Sequence, residues 1–162
     1  MSPNPFLAGC LLSLSLVVPV QAQEAFTKTF NPGSYQQILH ENAGQPFVLA
    51  IWSLDCPSCI KDMRVISDLH LKHPDIKIVM LSTDEPSNMM GVKSMLARNG
   101  LSDLDSWIFG NADAQKLRYE IDPSWFGELP RTYFYTVSQS RIGKSGAINS
   151  VEFDAQIAKI KP

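Results

Sequence analysis

The run Phe47-Val48-Leu49-Ala50-Ile51-Trp52 is apolar throughout, ends in Ser53-Leu54-Asp55-Cys56-Pro57-Ser58-Cys59, and there gives way to a helical spacing. An uninterrupted apolar run of this kind suits a strand buried on both faces, as in a parallel sheet. From Cys59 the apolar residues recur at Met63, Ile66 and Leu69, steps of four, three and three that mark one face of a helix. The chain must therefore turn from buried strand to helix within a few residues, and the turn carries a Cys-x-x-Cys. That combination reads as a redox dithiol. A thiol at the first turn of a helix faces unsatisfied backbone N–H groups and the positive end of the helix dipole, both of which favour thiolate. Cys56 is accordingly read as the nucleophile. Cys59, about one turn deeper, can attack a mixed disulfide on Cys56 and is read as the resolving thiol. Pro57 falls at an early helical position, where its missing N–H costs nothing.

Further elements follow from the same rules. Tyr35 to Leu39 reads as a short helix with Ser34 as N-cap, ending near Asn42-Ala43-Gly44, after an irregular start. The helix after Cys56 stops before His73-Pro74. Ile76 to Leu81 reads as a second buried strand, completing a βαβ unit. Ser87 reads as the cap of a helix with Met89, Val92, Met95 and Leu96 inward, closed by Asn99-Gly100. Trp107 to Phe109 is a short strand and Ala112 to Tyr119 a short helix. Thr132 to Val137 is a strand by composition, with a turn at Ser138-Gln139-Ser140 into Arg141 to Lys144. A last helix spans about Val151 to Ile160. The expected class is α/β, three layers with helices on both sides of a central mixed sheet and two antiparallel strands at the end.

The first 22 of 162 residues hold no Lys, Arg, Asp or Glu and carry the apolar run Leu11 to Val18 followed by Pro19-Val20-Gln21-Ala22. Residues 1–22 are read as a signal peptide cleaved after Ala22, which places the protein in the periplasm or otherwise outside the cytoplasm. The leader lacks a basic residue ahead of the apolar run, so its positive charge is the amino terminus alone. An uncleaved anchor, and lipidation at Cys10 within Leu7-Ala8-Gly9-Cys10, are the alternatives. Residues 23–162 then form a single domain. Of the three cysteines only Cys56 and Cys59 lie in that domain, too close in sequence to staple distant segments. A lone Cys-x-x-Cys in an oxidising compartment points to use rather than support. The net charge of −2 and the absence of a basic run argue against a nucleic-acid surface.

About seventy residues after the dithiol comes Gly127-Glu128-Leu129-Pro130-Arg131-Thr132-Tyr133-Phe134, leading into a hairpin. With both motifs in this order, nearly the whole of residues 23–162 resembles the thioredoxin superfamily, and within it the exported TlpA-type, redoxin-like thiol-disulfide oxidoreductases. The resemblance implies a thioredoxin-like fold and a cis Leu129–Pro130 peptide set against the dithiol, where the backbone before Pro130 pairs with a bound substrate strand. Leu129, Pro130, Trp52 and Pro57 are then the substrate-binding candidates, with Trp52 read as a partly exposed wall and core filling as its alternative. It also implies reduction of protein disulfides, with clients in cytochrome c maturation or copper-site assembly, and a membrane electron donor. No cofactor beyond the Cys56–Cys59 disulfide is expected, and no resident metal. Arg131 is read as a solvated charge, with contact to a partner as the alternative. The chain departs from the family pattern at three places. Ala50 stands where thioredoxin has a buried acid, Asp55 where an aromatic usually precedes the first cysteine, and proline directly follows the nucleophile. Asp55 should oppose thiolate formation, with Lys61 and Arg64 as opposing charges.

Two other classes stay open. A copper-handling metallochaperone would use the two thiolates as Cu(I) ligands, which suits their softness but wants a third ligand. A zinc site joining the dithiol to His70-x-x-His73 is excluded by reach, since His70 lies about 16 Å along a continuous helix from Cys59. A non-catalytic interaction module would keep the fold and lock the dithiol as a structural disulfide.

Overall fold

The computed structural model describes residues 26–161, and the leader reading for residues 1–22 lies outside the described residues. Strands β1 (Thr27–Phe30), β2 (Phe47–Trp52), β3 (Lys77–Ser82), β4 (Asp105–Phe109), β5 (Arg131–Tyr135) and β6 (Arg141–Ser145) form a six-stranded sheet in the order β1-β4-β3-β2-β5-β6. The first four in that order run parallel, β5 runs antiparallel to β2, and β6 antiparallel to β5. The helices are α1 (Ser34–Glu41), α2 (Pro57–Lys72), α3 (Met89–Arg98), α4 (Ala114–Ile121) and α5 (Ser150–Ile160).

β2 is central, and all of its residues are buried. Its side chains alternate between two cores, because successive Cβ atoms of a strand point to opposite faces. Val48, Ala50 and Trp52 join Ile78, Met80, Ile108 and Phe134 under α2, α3 and α5. Phe47, Leu49 and Ile51 join Val79, Leu81, Trp107, Tyr133 and Tyr135 under α1 and α4. Helices cover both faces because parallel neighbours cannot be joined by hairpins; β2, β3 and β4 are linked through α2 and α3, and the crossover helices must pack on the sheet. This is the expected three-layer arrangement with a mixed central sheet. Among the described residues no helix is long and apolar enough to cross a membrane.

The structure differs from the sequence reading at several element ends. The start expected to be irregular is the edge strand β1, whose Thr27 and Phe30 are buried while Thr29 faces out. Its pairing with β4 supplies what a polar four-residue segment does not announce. Ser34 is not an N-cap: α1 begins at Ser34 itself, and the Ser34 hydroxyl accepts from the Asn31 N–H instead. Ser87 is not a cap either, because Pro86–Asn88 forms a single 3₁₀ turn and α3 starts at Met89 without a side-chain cap. Met89 and Met95 are partly buried against the core that holds Val92 and Leu96. α4 starts at Ala114, two residues later than expected, because the Asp113 carboxylate accepts from the N–H groups of Gln115 and Lys116.

Candidate active site

Cys56 is the N-cap of α2, with extended backbone (φ −107°, ψ 98°), and Pro57 occupies the first helical position. The Cys56 Sγ accepts the Cys59 N–H at 3.1 Å, so one of the donors left free at the helix start points at this sulfur. Cys56 and Cys59 are joined in a disulfide with Cα atoms 5.2 Å apart. The two cysteines are not equivalent towards solvent. Cys56 is half-buried, whereas Cys59 is 2% exposed and belongs to the core with Met63, Ile66 and Leu69. A partner can therefore reach Cys56 and not Cys59. Pro57 and Ser58 between them are exposed.

The Leu129–Pro130 peptide is cis. Arg131 pairs with Ile51 in the antiparallel β2–β5 ladder, which brings the residues just before β5 to the end of β2 from which the dithiol turn departs. Leu129 is partly buried against both cores and Pro130 is buried. The loop ahead of them is closed by hydrogen bonds from Trp125 Nε1 to the Glu128 carbonyl at 2.9 Å and from the Trp125 N–H to the Asp122 carbonyl. Gly127 adopts φ +102° there, and a Cβ at this residue would lie 3.2 Å from the Arg118 side chain. Phe126, beside it, is 89% exposed.

Trp52 corrects the sequence reading. It is 2% exposed and forms part of the α2 side of the core rather than a partly exposed wall, because a central strand covered on both faces buries its last residue too. Its indole Nε1 has no hydrogen-bond partner. Arg131 is not a solvated charge either: its side chain is 14% exposed and its guanidinium lies 3.2 Å from the Asp122 carboxylate. Asp122 also accepts from Tyr133 Oη at 2.8 Å and from the Ser124 hydroxyl and N–H, with Arg141 at 3.3 Å. Burial works against the charged form of Asp122, but the Ser124 and Tyr133 hydrogen bonds and the Arg141 charge outweigh it and hold the carboxyl at about 2. Lys61 and Arg64 are both exposed on α2. His70 and His73 lie at the far end of α2, where they pair with Asp103 and Asp154. Among the described residues no three His, Cys, Asp or Glu gather in a way that could hold a metal ion.

Two carboxylates near the dithiol were not singled out from the sequence. Asp62 follows Cys59 by three residues in α2, so the two side chains share a face of the helix. It accepts the Ile148 N–H at 3.3 Å, yet burial pushes its carboxyl above the usual carboxylate range. Asp84, 8% exposed just past β3, reaches the turn that precedes Cys56. Its oxygens accept from the Ser53 hydroxyl at 3.1 Å, the Leu54 N–H at 3.0 Å and the Ser82 hydroxyl at 2.5 Å. The apolar spacing in α2 passes over Asp62. An acid two residues past the end of an apolar strand was the available signal for Asp84.

No protein-family model matches the chain, and no curated protein does. Solved structures do. A secreted disulfide oxidoreductase of Mycobacterium tuberculosis, homologous to Escherichia coli DsbE, aligns over 86% of this chain and 99% of its own at 19% identity and a TM-score of 0.58. StoA from Bacillus subtilis aligns over 72% of this chain and 84% of its own at 18% identity and a TM-score of 0.53. A thiol:disulfide interchange protein of the thioredoxin family from Chlorobium tepidum covers 75% of this chain and 83% of its own at 13% identity and a TM-score of 0.61. The chain has a thioredoxin-like fold.

Proposed function

We propose that this protein is an exported thiol-disulfide oxidoreductase that reduces protein disulfides through Cys56 and Cys59. The observation that carries the reading is the half-buried Cys56 sulfur at the start of α2, facing the Cys59 N–H and bonded to a cysteine buried in the core. The M. tuberculosis neighbour, described as a secreted disulfide oxidoreductase, supports both the chemistry and the export.

In the reducing direction the Cys56 thiolate attacks one sulfur of a client disulfide. The client S–S bond breaks, its other sulfur leaves as a thiolate and takes a proton, and Cys56 is held in a mixed disulfide. Cys59 then loses its proton and attacks Cys56 Sγ, which releases the second client thiol and leaves the Cys56–Cys59 disulfide. Two electrons have passed to the client, and an electron donor must restore the dithiol. Leu129, the cis Pro130 and Pro57 receive the client chain beside Cys56. The clients in this reading are proteins of cytochrome c maturation or copper-site assembly, and the donor is a membrane protein.

Asp62 is the base for the second step. Its place one helical turn past Cys59, together with a carboxyl held above its usual range by burial, suits acceptance of the Cys59 proton. Asp62→Asn is expected to slow release of glutathione from a Cys56 mixed disulfide by roughly a hundredfold at pH 7, at the lower end of what a positioned base contributes. Alkylation of Cys56 should be unaffected. Stopped-flow release kinetics read this directly, and an unchanged rate removes Asp62 from the mechanism.

The direction of transfer is tested by the equilibrium potential of Cys56/Cys59, measured by thiol trapping across a dithiothreitol or glutathione series. A value near or below about −270 mV supports a reductase; one nearer about −120 mV makes the protein a disulfide donor and reverses the scheme.

A further inference from the structure

The turn from β2 into α2 is pinned from two sides, and neither contact involves a sulfur atom. We propose that Asp84 is a positioning residue for the Cys56 thiolate, acting through the Ser53–Asp55 turn; this rests on the assignment of Cys56 as the nucleophile.

The hydrogen bonds run in one direction towards the carboxylate. One Asp84 oxygen takes the Ser53 hydroxyl at 3.1 Å, and the other takes the Leu54 N–H at 3.0 Å together with the Ser82 hydroxyl at 2.5 Å. Ser53 passes the constraint on, because its Oγ also accepts the Asp55 N–H at 3.2 Å and its carbonyl accepts the Cys56 N–H at 3.2 Å. Asp84 itself is fixed, with its N–H donating to Ser82 Oγ at 3.0 Å and Thr83 N–H bonded to the Trp52 carbonyl at 2.9 Å. On the other side, α3 meets the turn through Gly91, where a Cβ would lie 3.0 Å from Leu54 Cδ1. Leu54 is thus held by its backbone on Asp84 and by its side chain on α3.

The turn decides where Cys56 sits relative to the free N–H groups of α2, and the interaction of a charge with a helix terminus falls off within a turn. A small displacement of Cys56 therefore weakens its thiolate. The charged groups next to the turn and to Asp84 along the chain are Asp55 on the turn itself, Glu85 after Asp84, and Lys61 and Asp62 in α2. Asp84 differs from them in bonding the turn's own backbone. Support and charge predict opposite results when it is removed. Loss of the support raises the thiol pKa of Cys56, whereas loss of a nearby negative charge lowers it.

The test is the pH dependence of Cys56 alkylation by iodoacetamide in the reduced full-length chain, for wild type, Asp84→Ala, Asp84→Asn and Ser53→Ala, with folding checked by circular dichroism. Asp84→Ala is expected to move the midpoint up by about one pH unit, the scale of a helix-terminus interaction. Asp84→Asn keeps an oxygen for the Leu54 N–H and should restore more than half of that shift. An unchanged midpoint in Asp84→Ala, or a lower one, overturns the proposal. Should Asp84→Ala fail to fold, Ser53→Ala removes only the hydroxyl between Asp84 and the Asp55 N–H; its midpoint is expected to rise by a smaller step, and no rise overturns the proposal. A wild-type midpoint at the free cysteine value of about 8.5 would overturn the nucleophile assignment itself, and the role of Asp84 with it. The two failures are thus separate results of one experiment.

Discussion

Cys56→Ser is expected to reduce turnover of a protein disulfide to the uncatalysed background, while Cys59→Ser accumulates mixed disulfides with client proteins. The asymmetry follows from access. Cys56 is half-buried at the helix start and Cys59 is 2% exposed in the core, so only the first can meet a client sulfur and only the second is placed to release it. A serine hydroxyl at residue 56 is a poor nucleophile at neutral pH, and no other cysteine lies among the described residues to replace it. At residue 59 serine puts a hydroxyl among Met63, Ile66 and Leu69 at a cost of about 1–3 kcal/mol, so Cys59→Ala is the better control for folding. Non-reducing gels with mass spectrometry of the trapped species read both variants. Equal turnover by both variants and wild type would remove the dithiol from the chemistry.

The second large effect is on stability. Asp122→Asn is expected to destabilise the fold by about 3 kcal/mol, the lower end for breaking a buried ion pair, since Arg141 retains some exposure. Asp122 is 7% exposed and gathers Arg131, Arg141, Tyr133 and Ser124 around one carboxylate, so Asp122→Asn takes the negative charge away from the Tyr133 hydroxyl and weakens two guanidinium contacts at once, leaving Arg131 on Glu128 and Ser145 and Arg141 on Tyr35. The same residue gives a pH signature. Its carboxyl sits at about 2 in the folded chain, below the ordinary value of an unfolded aspartate. Its contribution is therefore complete above about pH 5 and is lost as the pH falls towards 2, a difference of about 2 kcal/mol. Urea unfolding at pH 7 and pH 2.5 should show a larger loss in wild type than in Asp122→Asn, whose remaining acid loss comes from Glu41, Asp75, Glu128 and Asp154, also held below the usual carboxylate range. Equal losses in both would take Asp122 out of the acid sensitivity.

What the sequence discloses here is local. The strand Phe47–Trp52, the helix behind Cys56 and the order of the two thiols follow from spacing within about twenty-five residues, where backbone geometry leaves few choices. The Leu129–Pro130 loop was placed by resemblance rather than by spacing, and it lies at the same end of β2 as the dithiol. The parts that were not legible depend on contacts between distant residues. Asp84 meets Leu54 across thirty positions, Asp62 meets Ile148 across eighty-six, and β1 becomes a strand only because β4 lies beside it. Trp52 and Arg131 were misread for the same reason. The sequence gives no measure of how completely a central strand is covered, nor that Asp122 stands ready for the arginine.

Because the Cys59 sulfur is packed into the core, folding and redox state share one thermodynamic cycle. Whatever free energy the fold gains on closing the disulfide, beyond what the unfolded chain gains, appears as a displacement of the potential, with about 30 mV for each 1.4 kcal/mol. Met63, Ile66 and Leu69 are thus electrochemical residues as well as structural ones, and packing changes far from solvent become a route by which the potential of the pair can be graded without altering Cys56, Pro57, Ser58 or Cys59.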